Sequence, residues 1–194
     1  MNRKQLLTLI GVLAVICLCV TGLIVGGLAY AGNRFGKAID NAGDPANVQK
    51  VASSIADYSL PSGYKQMALD MMIYKYVMLT PDPKGYTDGP FIMLMAYPVN
   101  SNMNDEQMQQ QMQRAFAQQG GKYAAMEVVD TKTLSIRGKD AKVTIMEGKT
   151  SDGTTMRQWL TIFTGKSGPV MLMIHGDTST WDDKLVNDFV ASIK

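Results

Sequence analysis

The chain has 194 residues, 19 Lys+Arg against 17 Asp+Glu, and a formal net charge of +2. No basic field is present to hold nucleic acid, and no acidic block marks a solvating tail. With 2 cysteines and 1 histidine, a disulfide framework and a Cys/His zinc cluster are both excluded.

Residues 1–5 form a short tail containing Arg3 and Lys4. From Leu6 to Ala31, 26 residues pass without a charge. At about 1.5 Å per residue they reach roughly 39 Å, enough to cross a hydrocarbon core of roughly 30 Å. Such a run is apolar all round and suits a transmembrane helix rather than a surface helix. The rival reading is a cleavable secretory signal, with Arg3 and Lys4 as its basic start and Ala29-Tyr30-Ala31 as an A-x-A site. The run exceeds the roughly 7–15 residues of a signal core. This favours a retained anchor, with cleavage after Ala31 left open. The five-residue tail is too short to hold a domain, so the expected orientation is tail inside, remainder outside. Gly22 and Gly26 form a G-x-x-x-G pair, the spacing that lets two membrane helices approach. They are the candidate helix-pairing positions for a homo-oligomer. Cys17 and Cys19 follow Ile16 and Leu18, which are not the small residues that precede a lipidated cysteine.

Residues 32–44 read as a polar linker, and residues 45–194 as one extracytoplasmic domain. Without Arg3 and Lys4 the remainder carries 17 basic and 17 acidic residues, so it is electrically neutral. It contains no cysteine and must be held by core burial alone. Asp44-Pro45 predicts a helix start, and Val48, Val51, Ala52 and Ile55 give an apolar face over Pro45 to Ala56. Ile55 to Tyr64 (IADYSLPSGY) is expected to be extended. Leu69 to Leu79 reads as one strand and Pro90 to Tyr97 as a second, apolar on both faces and therefore central. Between them, Thr80 to Gly89 is a loop rich in Pro, Gly and Asp. Its Asp82, Lys84, Tyr86 and Asp88 are the candidate partner-binding residues, since binding side chains concentrate on loops.

Asn104 and Gln107 form a capping box ahead of a helix carrying Met108, Met112, Ala115 and Phe116, closed by Gly120-Gly121. Strands are expected over Ala125 to Thr131, Thr133 to Ile136, Ala141 to Thr150, Thr154 to Thr164 and Pro169 to His175. Their turns lie at Arg137 to Asp140, Ser151-Asp152-Gly153 and Gly165 to Gly168. A last helix starts near Ser179 or Thr180 and aligns Trp181, Leu185, Val186, Phe189, Val190 and Ile193. The fold class is α+β, an antiparallel sheet with helices packed on its faces, behind one transmembrane helix.

Chemistry-bearing constellations are few. His175 stands alone and reads as a strand-end histidine. Fifteen methionines are unusual; Met93/Met95, Met171/Met173 and Met108/Met112 each share a face, as a core requires. Thioethers also suit Cu(I). Asp177, Asp182 and Asp183 are read as caps on the last helix. Gly165-Lys166-Ser167-Gly168 lacks the spacing of a phosphate loop. No catalytic residue, metal ligand or cofactor is assigned.

The IADYSLPSGY segment, the capped helix from Asn104 to Gln119, and the hairpin at Gly138 with Ala141 carry a resemblance. So do the Trp159 to Phe163 strand and the Trp181 to Ile193 end. Over Ile55 to Lys194 the chain resembles the PsbP-like α/β/α sandwich superfamily, which includes the photosystem II extrinsic protein. The resemblance implies an α/β/α sandwich that binds or stabilises protein partners. The function expected is a membrane-anchored extracytoplasmic interaction or assembly module of the cell envelope, without catalysis. The alternative is a small-ligand or copper-binding envelope domain.

Overall fold

The computed structural model describes residues 41–71, 74–82, 89–97 and 126–194. The expected membrane span, Gly22 and Gly26, and the helix at Asn104 to Gln119 lie outside these residues. Among the described residues no helix is long and apolar enough to cross a membrane.

Asn41–Lys194 form one compact unit. Helix α1 (Pro45–Ile55) is followed by β1 (Tyr64–Met71), β2 (Tyr74–Pro81) and β3 (Phe91–Ala96). Then come β4 (Glu127–Ile136), β5 (Lys139–Lys149), β6 (Thr155–Thr164), β7 (Pro169–Asp177) and α2 (Asp183–Ser192). The seven strands make one sheet in the order β1-β2-β3-β7-β6-β5-β4, antiparallel at every pairing. Two meanders are thus joined edge to edge by β3 and β7.

The first helix starts where expected, whereas the last begins at Asp183 rather than near Ser179 or Thr180. Asp44 caps α1 through the Asn47 N–H at 2.9 Å, and Asp182 caps α2 through the Leu185 N–H at 3.0 Å. Each side chain satisfies a backbone donor that the first helical turn leaves open. Val51, Ala52 and Ile55 of α1 and Val186, Phe189 and Val190 of α2 enter the same core. That core takes Val77, Leu79, Ile92, Leu94, Val143, Trp159, Val170, Leu172 and Ile174 from the sheet.

The α/β/α sandwich is therefore corrected. The described residues are mostly one seven-stranded sheet with two short helices, and both stripes feed a core on one side of it. Strand alternation is apolar on both faces here, and that pattern alone does not say which face receives a helix.

Two further expectations change. The single strand from Leu69 to Leu79 is instead a hairpin, with Met71 paired to Tyr74. The two residues between that pair, Met72 and Ile73, are not the Gly, Asn or Asp that mark a turn. The two strands expected between Ala125 and Ile136 are one strand, β4, with a bulge between Val128 and Asp130. The next turn lies where it is expected but is shorter, since Lys139 and Asp140 already belong to β5. Arg137 and Gly138 sit at φ 54° and 72° between the paired Ile136 and Lys139, as the two-residue turn matching strand twist requires.

The β6–β7 turn locks the end of α1. The Lys166 N–H donates to the Ile55 carbonyl at 2.8 Å, and the Ser167 hydroxyl donates to the Ser54 carbonyl at 3.2 Å. The Lys166 ammonium meets Asp57 at 2.5 Å. This exposed pair contributes only about 0–1 kcal/mol, so the close backbone approach matters more. A Cβ on Gly165 would lie 2.7 Å from the Ile55 carbonyl oxygen and would strike the Val170 side chain. Gly165→Ala is accordingly expected to cost about 1–3 kcal/mol through overpacking. Urea denaturation followed by circular dichroism measures this, and an unchanged midpoint would refute the lock.

Candidate functional site

Of the four loop residues expected to bind a partner, Asp82 is described; Lys84, Tyr86 and Asp88 lie outside the described residues. Asp82 pairs with Lys65 at 2.9 Å, and its N–H donates to the Gly63 carbonyl at 2.8 Å. It ties the start of the β2–β3 connection to the start of β1. Beside it, the Tyr64 hydroxyl donates to the Pro90 carbonyl at 2.9 Å. Burial, reinforced by the charge of Asp182, pushes the Tyr64 phenol up to about 12.

The three acidic residues near α2 are all occupied locally. Asp177 accepts from the Ser179 N–H at 2.7 Å, Asp182 caps the helix, and Asp183 accepts from the Trp181 indole N–H at 3.0 Å. Among the described residues no group of three His, Cys, Asp or Glu side chains is placed to hold a metal ion.

Aromatic groups gather ahead of α2. The Trp159 and Trp181 rings lie 5.9 Å apart, with the Lys132 ammonium 3.3 Å from the Trp159 centroid. Arg157 lies 5.6 Å from the Trp181 ring and pairs with Glu147 at 2.8 Å. Burial lowers the Lys132 pKa, with Asp183 and Asp130 opposing it. Contacts of this kind are worth about 0.5–2 kcal/mol, and here they close the end of the helix-side core. A shallow groove of about 360 Å³ opens nearby, lined by Leu60, Pro61, Asp182, Leu185 and Phe189.

The opposite face of the sheet differs in kind. Every described methionine belongs to it. Met67, Met71 and Met78 come from the β1–β2 hairpin, Met93 and Met95 from β3, Met146 from β5, Met156 from β6, and Met171 and Met173 from β7. Met126, just before β4, packs with them. The helix-side core contains none. Cross-strand register sets Met93 opposite Met173 and Met95 opposite Met171, while Met78 stands opposite both Met67 and Met93. The Tyr97 hydroxyl reaches the Met171 sulfur at 3.6 Å.

His175 lies on this methionine face, between Phe91 and Gln158. Burial lowers its pKa. Gln158 is only 6% exposed, and its side-chain Nε2 has no hydrogen-bond partner among the described residues. Such a group costs about 1–3 kcal/mol. Sequence reading paired Met93 with Met95 and Met171 with Met173 along their own strands. That β3 and β7 are neighbours has no local signal, so the combined block was not visible.

No protein-family model and no curated protein matches the chain.

As the only histidine, His175 gives an unambiguous proton NMR titration. Its folded pKa is depressed, so its midpoint is expected below the ordinary 6.5. The unfolded chain then binds the proton more readily, and stability is lost as pH falls through 6.5. A midpoint at or above 6.5 would contradict burial as the controlling influence.

Proposed function

We propose that the protein is a membrane-tethered module of the cell envelope that binds a protein partner outside the cytoplasm. The observation that carries this reading is the uncharged run from Leu6 to Ala31 joined to a charge-neutral domain. A run of that length costs little to place in a bilayer and much to leave in water. The tether holds the domain near the membrane, where binding to a neighbouring protein gains effective concentration.

The domain offers surface for such contact. Val128 and Val129 are 57% and 54% exposed on β4, an edge strand of the sheet. An edge strand leaves backbone donors and acceptors available to another chain. Leu60, 45% exposed, borders the groove beside α2. Asp82 holds one end of the loop that sequence reading favours. Charge neutrality gives no long-range steering, so partner choice rests on shape and short-range contacts.

The test uses the full chain in its own cells. A photoreactive residue placed singly at Leu60, Asp82 or Val129 is expected to give a discrete protein adduct from at least one position. The protein is expected to resist carbonate extraction and to retain residues 6–31 by mass spectrometry. A mature terminus at Gly32 would overturn the tether. Absence of an adduct at all three positions would overturn the partner-binding half.

A further inference from the structure

We propose that Met93, Met173 and His175 form a binding site for one monovalent soft metal ion, Cu(I), on the methionine face of the sheet. Strand register brings these three residues together. Met93 and Met173 are directly opposite partners, and His175 lies two residues beyond Met173 on the same face. Opposite Cβ atoms in an antiparallel pair are about 4.5–5.5 Å apart, and diagonal ones roughly 7–8 Å. The two thioethers and the imidazole thus leave the backbone from the corners of a small triangle, and their side chains are long enough to converge above it.

Ligand chemistry selects the ion. Two neutral thioethers and one neutral imidazole are soft or borderline donors without charge, a set that suits Cu(I). Hard divalent ions demand oxygen. Burial helps here, because it keeps the imidazole neutral and therefore able to donate an electron pair.

Neighbouring groups define which methionines belong to the site. Met171 is fully buried, receives the Tyr97 hydroxyl and lies beside Met173 along β7 on the same face, so it is a neighbour and not a ligand. Met93, Met173 and His175 are each only half-buried, which leaves an ion a way in. Gln158 stands across from His175 on the same face and borders the site.

The experiment uses the full-length protein in detergent with Cys17→Ser and Cys19→Ser, which removes the only thiols that would compete for the ion. Cu(I) is supplied from a chromophoric chelator under reducing conditions, and transfer is read by loss of chelator colour. One equivalent is expected to transfer. Met93→Leu/Met173→Leu is expected to weaken binding roughly tenfold or more, the scale of about 1.4 kcal/mol. Leu for Met conserves volume and usually costs less than about 1.5 kcal/mol of stability, so circular dichroism is expected to show the variant folded. Met146→Leu, on the same face but outside the triangle, is the control and is expected to bind as the parent does. His175→Gln is expected to weaken binding. No transfer from the chelator, or equal transfer by the Met93→Leu/Met173→Leu variant, would overturn the site. The partner-binding reading would be untouched by either result, since it rests on crosslinking.

Discussion

The pairing of β3 with β7 is the constraint on which the rest of the structure depends. Phe91 to Ala96 and Val170 to His175 are separated by more than seventy residues of chain, yet they pair residue for residue. Without this seam the chain would hold two separate meanders, each with one more open edge. The three- and four-stranded meanders would each bury less apolar surface than the joined sheet does. The seam makes β3 and β7 the centre of the sheet. It also aligns Ile92, Leu94 and Ala96 with Ile174, Leu172 and Val170 beneath the helices. Closing so long a loop costs entropy before any contact repays it, so the matched apolar character of both strands on both faces is what makes the register favourable.

From that seam the two faces diverge. The helix-side face uses Ile, Val, Leu, Ala and aromatic residues, whose few rotamers specify one packing. The turn at Gly165 then fixes α1 against it, because the α1 end and the β6–β7 turn share a carbonyl and no Cβ fits between them. The chain after α1 is held as firmly. Asp57 and Lys194 exchange backbone hydrogen bonds at 2.8 and 3.3 Å, and the Ser59 N–H donates to the Ser192 hydroxyl at 3.0 Å. The segment following the first helix and the end of the second therefore form a single strap. The ion pairs Lys65–Asp82, Arg157–Glu147, Lys166–Asp57 and Lys184–Asp188 add little beside this, being at least partly exposed.

Much of this order was legible because it is local. Asp44-Pro45 marks α1, Gly138 and Gly153 mark turns at positive φ, and the 3.6-residue spacing of Val186, Phe189 and Val190 marks α2. Three features were not legible, each for a physical reason. The Met71–Tyr74 hairpin has strand-forming residues where turn residues are usual. Strand β4 runs unbroken through Lys132, where two strands are expected, because Lys132 keeps its pairing with Val143; the bulge at Val128/Asp130 has no Gly or Pro to announce it. Lastly, the β3–β7 seam is non-local, and alternation along one strand does not name its neighbour. The candidate site inherits that last gap: Met93 and Met173 are each visible in sequence, but their opposition is a property of the sheet.

The distribution of methionine gives this opposition its meaning. Methionine and leucine bury comparable apolar area, so transfer out of water does not distinguish them. They differ in side-chain freedom and in the polarisable sulfur. Among the described residues sulfur lies on one face of the sheet and not on the other, a preference that a need for volume alone does not produce. The excluded face is the one closed by two capped helices, where rigid side chains are an advantage. The methionine face also carries the chain's only histidine. Flexibility alone would account for the methionines, whereas soft-ion binding draws on the sulfur and the imidazole together.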